Sequence, residues 1–367
     1  MKKDVKSMLP DELEEYFLKI GEKRYRAKQV FSWLHKGVKS FDEMTDLPLE
    51  LREKLSEYLY LSVPKLLDKR VSKKDGTVKY LWLPGGDSLN IVGDDSQTAL
   101  DNANTFTDGI ESVLMDYHHG ITICVSTQIG CKMGCAFCAS TIGGWVRNLS
   151  ASEMLDQVLF SSAESQKRIS NIVLMGIGEP LDNFDNVMRF VALATHQKGL
   201  NIGARHVTLS TCGVIENIDK MAACGVQLML AISLHAPDDE TRNKLVPYNR
   251  VSGIKALVEA AKRYTEKTGR RVTYEYTMID GVNDSPEQAI ALSKLLKNTT
   301  SHLNLISLSS VSECGFVSSK KENFELFAYT LKKHGVNFSI RRSLGADIES
   351  SCGQLRRKSK NGCMGHN

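Results

Sequence analysis

The segment Cys131-Lys-Met-Gly-Cys135-Ala-Phe-Cys138 places three cysteines within eight residues, directly after an apolar stretch that is predicted to be a strand. No fourth cysteine stands beside them. A structural zinc site closes its tetrahedron with four protein ligands, usually two pairs along the chain. Three thiolates can instead hold an iron–sulfur cube that leaves one iron open for a ligand. The segment therefore favours a [4Fe-4S] cluster; zinc with a distant fourth ligand and plain core cysteines are the alternatives.

The composition is that of a globular protein. A chain of 367 residues with 42% apolar side chains can bury a core and hold about two or three domains. The first ten residues lack the apolar core of a signal peptide, and no run of about 18 apolar residues is present, so no membrane segment is expected. Nine cysteines, three of them in a tight triplet, fit a reducing compartment better than a disulfide scaffold. We therefore expect a cytoplasmic protein.

The charge is unevenly distributed along the chain. A net charge of +4 is too small to indicate a nucleic-acid partner by itself. Between Tyr80 and Cys131 there is no Lys or Arg, whereas basic residues cluster at 19–28, 69–74, 341–342 and 356–360. Such clusters can neutralise phosphates, and each of them can equally be an ordinary solvated face.

Four parts follow one another in the sequence. Residues 1–62 contain short helical patterns with apolar anchors that include Phe17, Tyr25 and Phe31, and we expect a small accessory domain. Residues 63–110 predict two strands joined at Asp75-Gly76, followed by an acidic surface loop. Residues 111–345 alternate strands and helices, and residues 346–367 form a tail.

The alternating region predicts a parallel sheet. Strand patterns at 121–126, 172–175, 206–211, 228–234, 272–279 and 302–308 are separated by amphipathic helices. Ser150-Ala-Ser-Glu153 is a capping box, and Ser285-Pro286 supplies an N-cap followed by a proline at the first helical position. Apolar strands alternating with helices indicate a covered parallel sheet, either an open doubly wound sheet or an incomplete barrel. We favour an α/β fold with an incomplete (β/α)6 TIM-like barrel.

Either architecture gathers chemistry at the carboxyl ends of the strands. The cysteine segment follows the first strand, and Gly176-Ile-Gly-Glu-Pro180 follows the second. Ser210 ends the third strand, Ser233-Leu-His235 ends the fourth, and Asn304 lies in the sixth. Each residue alone is more typical of a helix cap or of the core, but together they surround one mouth.

The cysteine spacing C-x-x-x-C-x-x-C resembles that of the radical S-adenosylmethionine (SAM) enzymes. A narrower resemblance covers nearly the whole chain, to the RlmN-type 23S rRNA adenine-C2 methyltransferases and the related Cfr-type adenine-C8 methyltransferases. The segments that carry it are Cys124-Val-Ser-Thr-Gln-Ile-Gly-Cys131, Gly176-Ile-Gly-Glu-Pro180, Arg205-His-Val-Thr-Leu-Ser-Thr211, Ile232-Ser-Leu-His-Ala-Pro237 and Cys352-Gly-Gln-Leu355. The chain departs from the family before the tail cysteine, where Glu349-Ser350-Ser351 replaces the usual Asp-Ala-Ala, and after Asn304, where a proline-rich loop is absent.

The resemblance implies a role for each matching residue. Cys131, Cys135 and Cys138 would hold the [4Fe-4S] cluster. The residues that match family positions around SAM are Gly178, Glu179, Ser210, Ser233, Leu234, His235 and Asn304. Three further residues match catalytic positions of the family. A first SAM would methylate Cys352, and a second SAM would generate a radical on that methyl group, which would then bond to adenine. Cys124 would resolve the resulting crosslink between protein and RNA, and Glu111 would act as the acid/base residue. Two SAM are used per turnover.

The resemblance also implies the partners. We expect 23S rRNA and tRNA as substrates, an electron donor such as flavodoxin or ferredoxin, an N-terminal domain that contacts RNA, and a monomer. The alternatives are adenine-C8 methylation, since the catalytic residues are shared, and a zinc-stabilised RNA-binding protein without catalytic activity. Without the resemblance, Cys352 would be one tail cysteine near Cys363, Cys124 a small core residue, and Glu111 one of several acidic residues.

Overall fold

A ten-stranded sheet whose two edge strands do not pair with each other, as in an incomplete barrel, forms the centre of the protein in a computed structural model that describes residues 2–85 and 109–355. The tail residues from Arg356 onward, with Cys363, and residues 86–108 of the predicted acidic loop lie outside the described residues. No helix in the described part is both long and apolar enough to cross a membrane.

The N-terminal segment is helical, as predicted. Its elements are strand β1 (Lys3–Asp4), helices α1 (Pro10–Lys19), α2 (Arg24–Leu34) and α3 (Leu49–Tyr58), and strand β2 (Leu59–Tyr60), which pairs with β1 in parallel. Phe17 and Phe31 are buried between the helices, as their helical spacing indicated. Tyr25 is not an apolar anchor: it is 49% exposed, and its ring lies 4.9 Å from the Arg26 guanidinium.

Four antiparallel strands lead into the barrel. They are β3 (Lys65–Val71), β4 (Val78–Leu83), β5 (Ile110–Tyr117) and β6 (Gly120–Cys124), each paired with its successor. The turn between β3 and β4 contains Gly76 with φ of 74°, a left-handed conformation that glycine adopts without strain. The predicted hairpin is therefore present, and it extends the same sheet as the barrel rather than forming a separate one.

Seven parallel strands follow from β6 onward along the sheet. After β6 they are β9 (Ile169–Leu174), β10 (Val207–Thr211), β11 (Met229–Ser233), β12 (Val272–Met278), β13 (Ser301–Ser307) and β14 (Phe338–Arg341). A short antiparallel pair, β7 (Gln128–Ile129) and β8 (Arg147–Asn148), brackets the cysteine segment. Helices cover the strands: α4 (Ala151–Ser165), α5 (Phe184–Thr195), α6 (Ile215–Ala223), α7 (Asp239–Leu245), α8 (Gly253–Thr268), α9 (Pro286–Leu295) and α10 (Lys321–Lys333).

The α/β fold class and all six predicted strands of the parallel array are confirmed, but β14 was not predicted. It has four residues, and the middle two, Ser339 and Ile340, are exposed, so it carries no apolar pattern. Both predicted caps are present: Ser150 accepts from the Glu153 amide, and Ser285 accepts from the Gln288 amide. The predicted domain boundaries stay predictions.

Candidate active site

The cysteine segment forms a tight loop at the carboxyl end of β6. The Ala136 amide donates to the Leu245 carbonyl at 2.9 Å, and the Cys138 amide donates to the Cys135 carbonyl at 3.1 Å. These bonds fix the loop against the end of α7. All three thiols line one cavity, here called the cluster cavity, which encloses about 970 Å³ of space partly open to solvent.

The donor set of the cluster cavity fits an iron–sulfur cluster. Burial raises the pKa of the Cys131 thiol to about 12, and burial followed by repulsion from Cys138 and Cys131 raises the pKa of Cys135 well above its usual value. Three thiolates are therefore unfavourable here without nearby positive charge, which cluster iron would supply. Three thiols on the wall of one cavity are the donor set that an iron–sulfur cluster with one open iron requires.

Gly178 and Glu179 form a second wall of the cluster cavity. A Cβ on Gly178 would lie 2.6 Å from Gln128 Cβ, so only glycine allows this close approach. The Glu179 amide donates to Gln128 Oε1 at 2.9 Å, and the Glu179 carboxylate accepts from the amides of Leu181 and Cys212. Burial raises the pKa of Glu179. The carboxylate therefore ties the loop after β9 to the loop after β10.

The ends of β10 and β11 complete that side of the cluster cavity. Ser210 and Ser233 line it with their hydroxyls 3.5 Å apart. His235 also lines it, and because its Nδ1 accepts from the Thr277 amide at 3.1 Å, the neutral ring carries its proton on Nε2. Burial, and then the charge of Arg242, lowers the pKa of His235 to about 3. His235 is therefore a neutral hydrogen-bond donor near neutral pH.

Two residues that were predicted to bind SAM, Leu234 and Asn304, do not line the cluster cavity. Leu234 is fully buried, and its amide donates to the Glu275 carbonyl. Asn304 donates from Nδ2 to Glu275 Oε1 at 3.0 Å and accepts from Ser339. Both contact Glu275, which does line the cavity.

The tail is docked across the mouth of the barrel. The Gly353 carbonyl accepts from the Ala139 amide at 2.8 Å, and the Leu355 carbonyl accepts from the Ser140 hydroxyl at 2.7 Å. Cys352 is exposed and lines the cluster cavity, although it lies more than 200 residues after the cysteine segment. The predicted methyl acceptor and the three predicted cluster ligands therefore face the same space.

Cys352 also lines a second cavity, here called the tail cavity, which encloses about 560 Å³ partly open to solvent. Cys124 is on its wall. Cys124 is 8% exposed, and burial, followed by electrostatic repulsion from Cys352, raises the pKa of Cys124 to about 12. Cys124 and Cys352, to which the resemblance gives roles in the same reaction, therefore line the same cavity.

Glu111, the third residue predicted to be catalytic, lines neither the cluster cavity nor the tail cavity. It is 1% exposed on β5, and Lys79 Nζ lies 3.3 Å from its Oε1. Lys79 also donates to the Glu349 carbonyl at 2.8 Å, three residues before Cys352. Because side chains alternate along a strand, Glu111 shares its face with Val113, which lines the tail cavity.

Three charged residues of the site were missed from the sequence. Arg341, at the end of β14, lies 3.6 Å from Glu275 Oε2 and lines both cavities. Arg242 is 1% exposed and donates to the carbonyls of Cys212, Ser233 and Leu234. Glu275 was visible as an acid inside an apolar strand pattern, whereas Arg341 belongs to the strand that was not predicted and Arg242 lies in an ordinary polar helix.

Comparisons with known proteins agree with this geometry. The radical SAM superfamily matches residues 125–292, and the ribosomal RNA large subunit methyltransferase N-terminal domain matches residues 4–61. The probable dual-specificity RNA methyltransferase RlmN of Alkaliphilus oremlandii is 46% identical over 97% of this chain and 98% of its own length. That of Thermoanaerobacter pseudethanolicus is 47% identical over 97% of this chain and 98% of its own length. A crystal structure of a radical SAM methyltransferase from Sphaerobacter thermophilus superposes with a TM-score of 0.87 at 39% identity, over 97% of this chain and 100% of that one.

Proposed function

Because the chain belongs to the RlmN family of radical SAM RNA methyltransferases, we propose that it methylates C2 of an adenosine in the peptidyl transferase region of 23S rRNA. We include an adenosine in the tRNA anticodon loop as a second target, because the similar proteins carry a dual-specificity name. Family membership decides against a non-catalytic zinc-stabilised RNA-binding protein. Its cofactors are a [4Fe-4S] cluster and SAM.

The chemical difficulty of the proposed reaction explains the number of cysteines. Carbon C2 of adenine is electron-poor and does not attack a methyl group as an amine would. When bound, the cluster and SAM supply one-electron chemistry that removes a hydrogen atom from an unactivated methyl group. In this proposal Cys131, Cys135 and Cys138 hold the cluster, and the walls at Gly178, Glu179 and His235 orient SAM.

Cys352 carries the methyl group in the proposal. Its sulfur first loses its proton and accepts a methyl group from one SAM; the new S–CH₃ bond forms as the methyl–sulfonium bond of SAM breaks, and S-adenosylhomocysteine leaves. Removal of one hydrogen atom from that methyl group, at the expense of a second SAM, leaves a carbon radical that bonds to adenine C2. Loss of the C2 proton and of one electron, for which the oxidised cluster would be the acceptor, then leaves a thioether between protein and RNA. The observation that carries this assignment is that Cys352 lines both the cluster cavity and the tail cavity.

Cys124 resolves the thioether in the proposal. Its thiolate attacks the sulfur of Cys352, so that an S–S bond forms as the C–S bond to the base breaks, and the released carbon takes up a proton to become the methyl group. Burial raises the pKa of Cys124, which keeps it protonated until a base removes its proton. We assign the acid/base work to Glu111, whose side chain shares a sheet face with the tail-cavity wall.

The remaining parts of the proposal concern partners. We propose that the N-terminal helices contact RNA, that flavodoxin or ferredoxin supplies electrons, and that the protein works as a cytoplasmic monomer. The match of residues 4–61 to a ribosomal RNA methyltransferase N-terminal domain supports the first of these.

Three single cysteine variants test the proposal. Cys352→Ala is expected to abolish adenosine methylation while leaving RNA affinity within about twofold, because it removes only the methyl acceptor. Cys124→Ala is expected to accumulate a covalent protein–RNA adduct that denaturing gels resolve. Cys224→Ala is the matched control, since Cys224 is an exposed thiol at the end of α6 and lines neither cavity. Retained methylation in Cys352→Ala, or the absence of any adduct in Cys124→Ala, would contradict the assigned roles.

A further inference from the structure

A third cavity opens at the other end of the barrel, near the amino ends of the parallel strands. We call it the vestibule; it encloses about 590 Å³ partly open to solvent. Arg205 and His206 stand directly before β10, His119 directly before β6, and Asn171 near the start of β9. The cluster cavity lies at the carboxyl ends of the same strands, so the vestibule faces away from the residues assigned to SAM.

The side chains of the vestibule combine positive charge with aromatic faces. Arg205, His119 and His206 are exposed, and no acidic side chain is found on its walls among the described residues. The rings of Tyr117 and His119 are stacked, with centroids 5.1 Å apart and planes 15° from parallel. His206 Nδ1 lies 2.8 Å from Asn171 Oδ1, which fixes the orientation of its ring. Arginines beside stacking rings are typical of surfaces that bind single-stranded nucleic acid.

The vestibule adjoins the place where the proposed chemistry occurs. Met115, Tyr117, Val173 and Arg341 line both the vestibule and the tail cavity. Arg341 and Cys352 in turn line both the tail cavity and the cluster cavity. The three cavities are therefore contiguous, and the tail cavity, which Cys352 lines, shares wall residues with both the vestibule and the cluster cavity.

We propose that the vestibule binds the single-stranded RNA nucleotides that flank the target adenosine, and that the target base enters the barrel from this end. This proposal rests on the proposed function, which requires a base to reach Cys352. A flanking phosphate lies against Arg205, and a flanking base stacks on the exposed face of His119. The target base then passes Tyr117 and Arg341 into the tail cavity. Base-modifying enzymes need such extrusion because the reacting atom is inaccessible within a stack.

The geometry of entry follows from the positions of the two thiols. A base entering from the vestibule meets Cys124 and Cys352 on the walls of the tail cavity before it reaches the cluster ligands. Entry at the cluster end would instead require the base to share the mouth with SAM and with the docked tail. The approach from the amino ends therefore leaves the SAM walls intact while RNA binds.

The test measures affinity for RNA directly. The ligand is a fluorescently labelled RNA fragment with the target adenosine in a single-stranded loop, titrated with reconstituted protein at several salt concentrations. Arg205→Gln is expected to weaken binding about tenfold at low salt and to reduce the slope of log affinity against log salt by about 0.7, the value for one phosphate contact on a single strand. His119→Ala is expected to weaken binding about tenfold through lost stacking.

Two matched controls keep the test specific. Arg263→Gln removes the same charge from the outer face of α8, where Arg263 pairs with Asp219, and His334→Ala removes an exposed histidine at the end of α10, which is not on the vestibule wall. Both controls are expected to bind like the unmodified protein. Unchanged affinity in Arg205→Gln and His119→Ala, or equal losses in the controls, overturns the vestibule. The proposed function is judged separately by nucleoside analysis: binding losses in the vestibule variants without any 2-methyladenosine from the unmodified protein would uphold the RNA site and reject the reaction.

Discussion

Replacing Gly178 with alanine tests whether the close approach of Gly178 to Gln128 shapes the proposed SAM site. An added Cβ would lie 2.6 Å from Cβ and 2.8 Å from Cγ of Gln128, and the backbone φ of 106° is unfavourable for any residue with a side chain. Backbone strain of this kind costs about 1–3 kcal/mol, and overpacking adds about 1–3 kcal/mol. We expect a total of about 2–6 kcal/mol, expressed partly as lost stability and partly as a displaced loop.

The displacement has a functional consequence because Gln128 accepts from the Glu179 amide. Moving Gln128 moves the backbone of Gly178 and Glu179, so affinity for SAM is expected to fall at least about tenfold, which corresponds to about 1.4 kcal/mol. Equilibrium dialysis with labelled SAM on reconstituted protein measures the affinity, and thermal unfolding measures the stability.

Gly269→Ala is the matched control for the strain contribution. Gly269 ends α8 with φ of 66°, and an added Cβ there meets no atom within 4 Å. It is expected to lose about 1 kcal/mol of stability with SAM affinity unchanged. A Gly178→Ala protein that binds SAM within twofold of the unmodified protein would show that the Gly178–Gln128 approach does not shape the cofactor wall.

Three further predictions concern buried charges. Arg242→Met leaves three buried carbonyls without their donor, so we expect the free energy of unfolding to fall by about 3–5 kcal/mol and the melting temperature by about 10 °C; a change below 2 °C would contradict this. Lys6→Met leaves Asp156 buried without its cation and is expected to cost about 3–5 kcal/mol, most of which the double variant with Asp156→Leu recovers; additive losses would argue against coupling of the pair. Burial lowers the pKa of His35 from 6.5 to about 4, so between these pH values the unfolded chain binds a proton at His35 that the folded chain does not. The free energy of unfolding is therefore expected to fall by up to about 3 kcal/mol as the pH falls from 6.5 towards 4. Unfolding midpoints of the unmodified protein and His35→Gln across that range should diverge from each other; parallel curves would remove His35 as the cause.

The parallel array could be predicted because its strands are short apolar runs with strong caps between them. Ser150 and Ser285 fix two helix starts by local hydrogen bonds alone, which sequence spacing reveals. Strand β14 has no such signal, since it lies at the sheet edge with two exposed residues and is held by pairing with β13. The local sequence pattern predicts helices and strands that bury an apolar face. It does not predict a strand such as β14, which is stabilised mainly by hydrogen bonds to the neighbouring strand.

The residues of the candidate site also differ in how far a local sequence pattern could identify them. The three predicted cluster cysteines and the glycine-rich turn are contiguous motifs, so they could be proposed from the sequence alone, and their roles stay predictions. Cys352 and Cys124 were proposed only from the resemblance, because nothing local distinguishes a tail cysteine or a strand cysteine; the fold places both on the wall of one cavity. Arg341 and Arg242 were not found at all, since each acts on backbone or side chains brought close by the barrel.

The position of Glu111 illustrates a different limit. The resemblance assigned it acid/base work, and the structure shows it buried with Lys79 Nζ at 3.3 Å, outside both cavities. Its link through Lys79 to the Glu349 carbonyl connects it with the tail that carries Cys352. A sequence match can transfer a role, but the path by which a proton reaches the reacting atom is a property of the packed structure.

The most direct test of the central claim follows the methyl group itself. Protein reconstituted anaerobically with iron and sulfide is first incubated with methyl-labelled SAM alone, and the peptide containing Cys352 is analysed by mass spectrometry. Reductant, unlabelled SAM and an unmodified 23S rRNA fragment are then added, and the nucleosides are separated. We predict label on Cys352 that moves into 2-methyladenosine, with 5′-deoxyadenosine formed alongside. SAM cleavage without change at adenine C2, or a product substituted only at C8, would contradict the account.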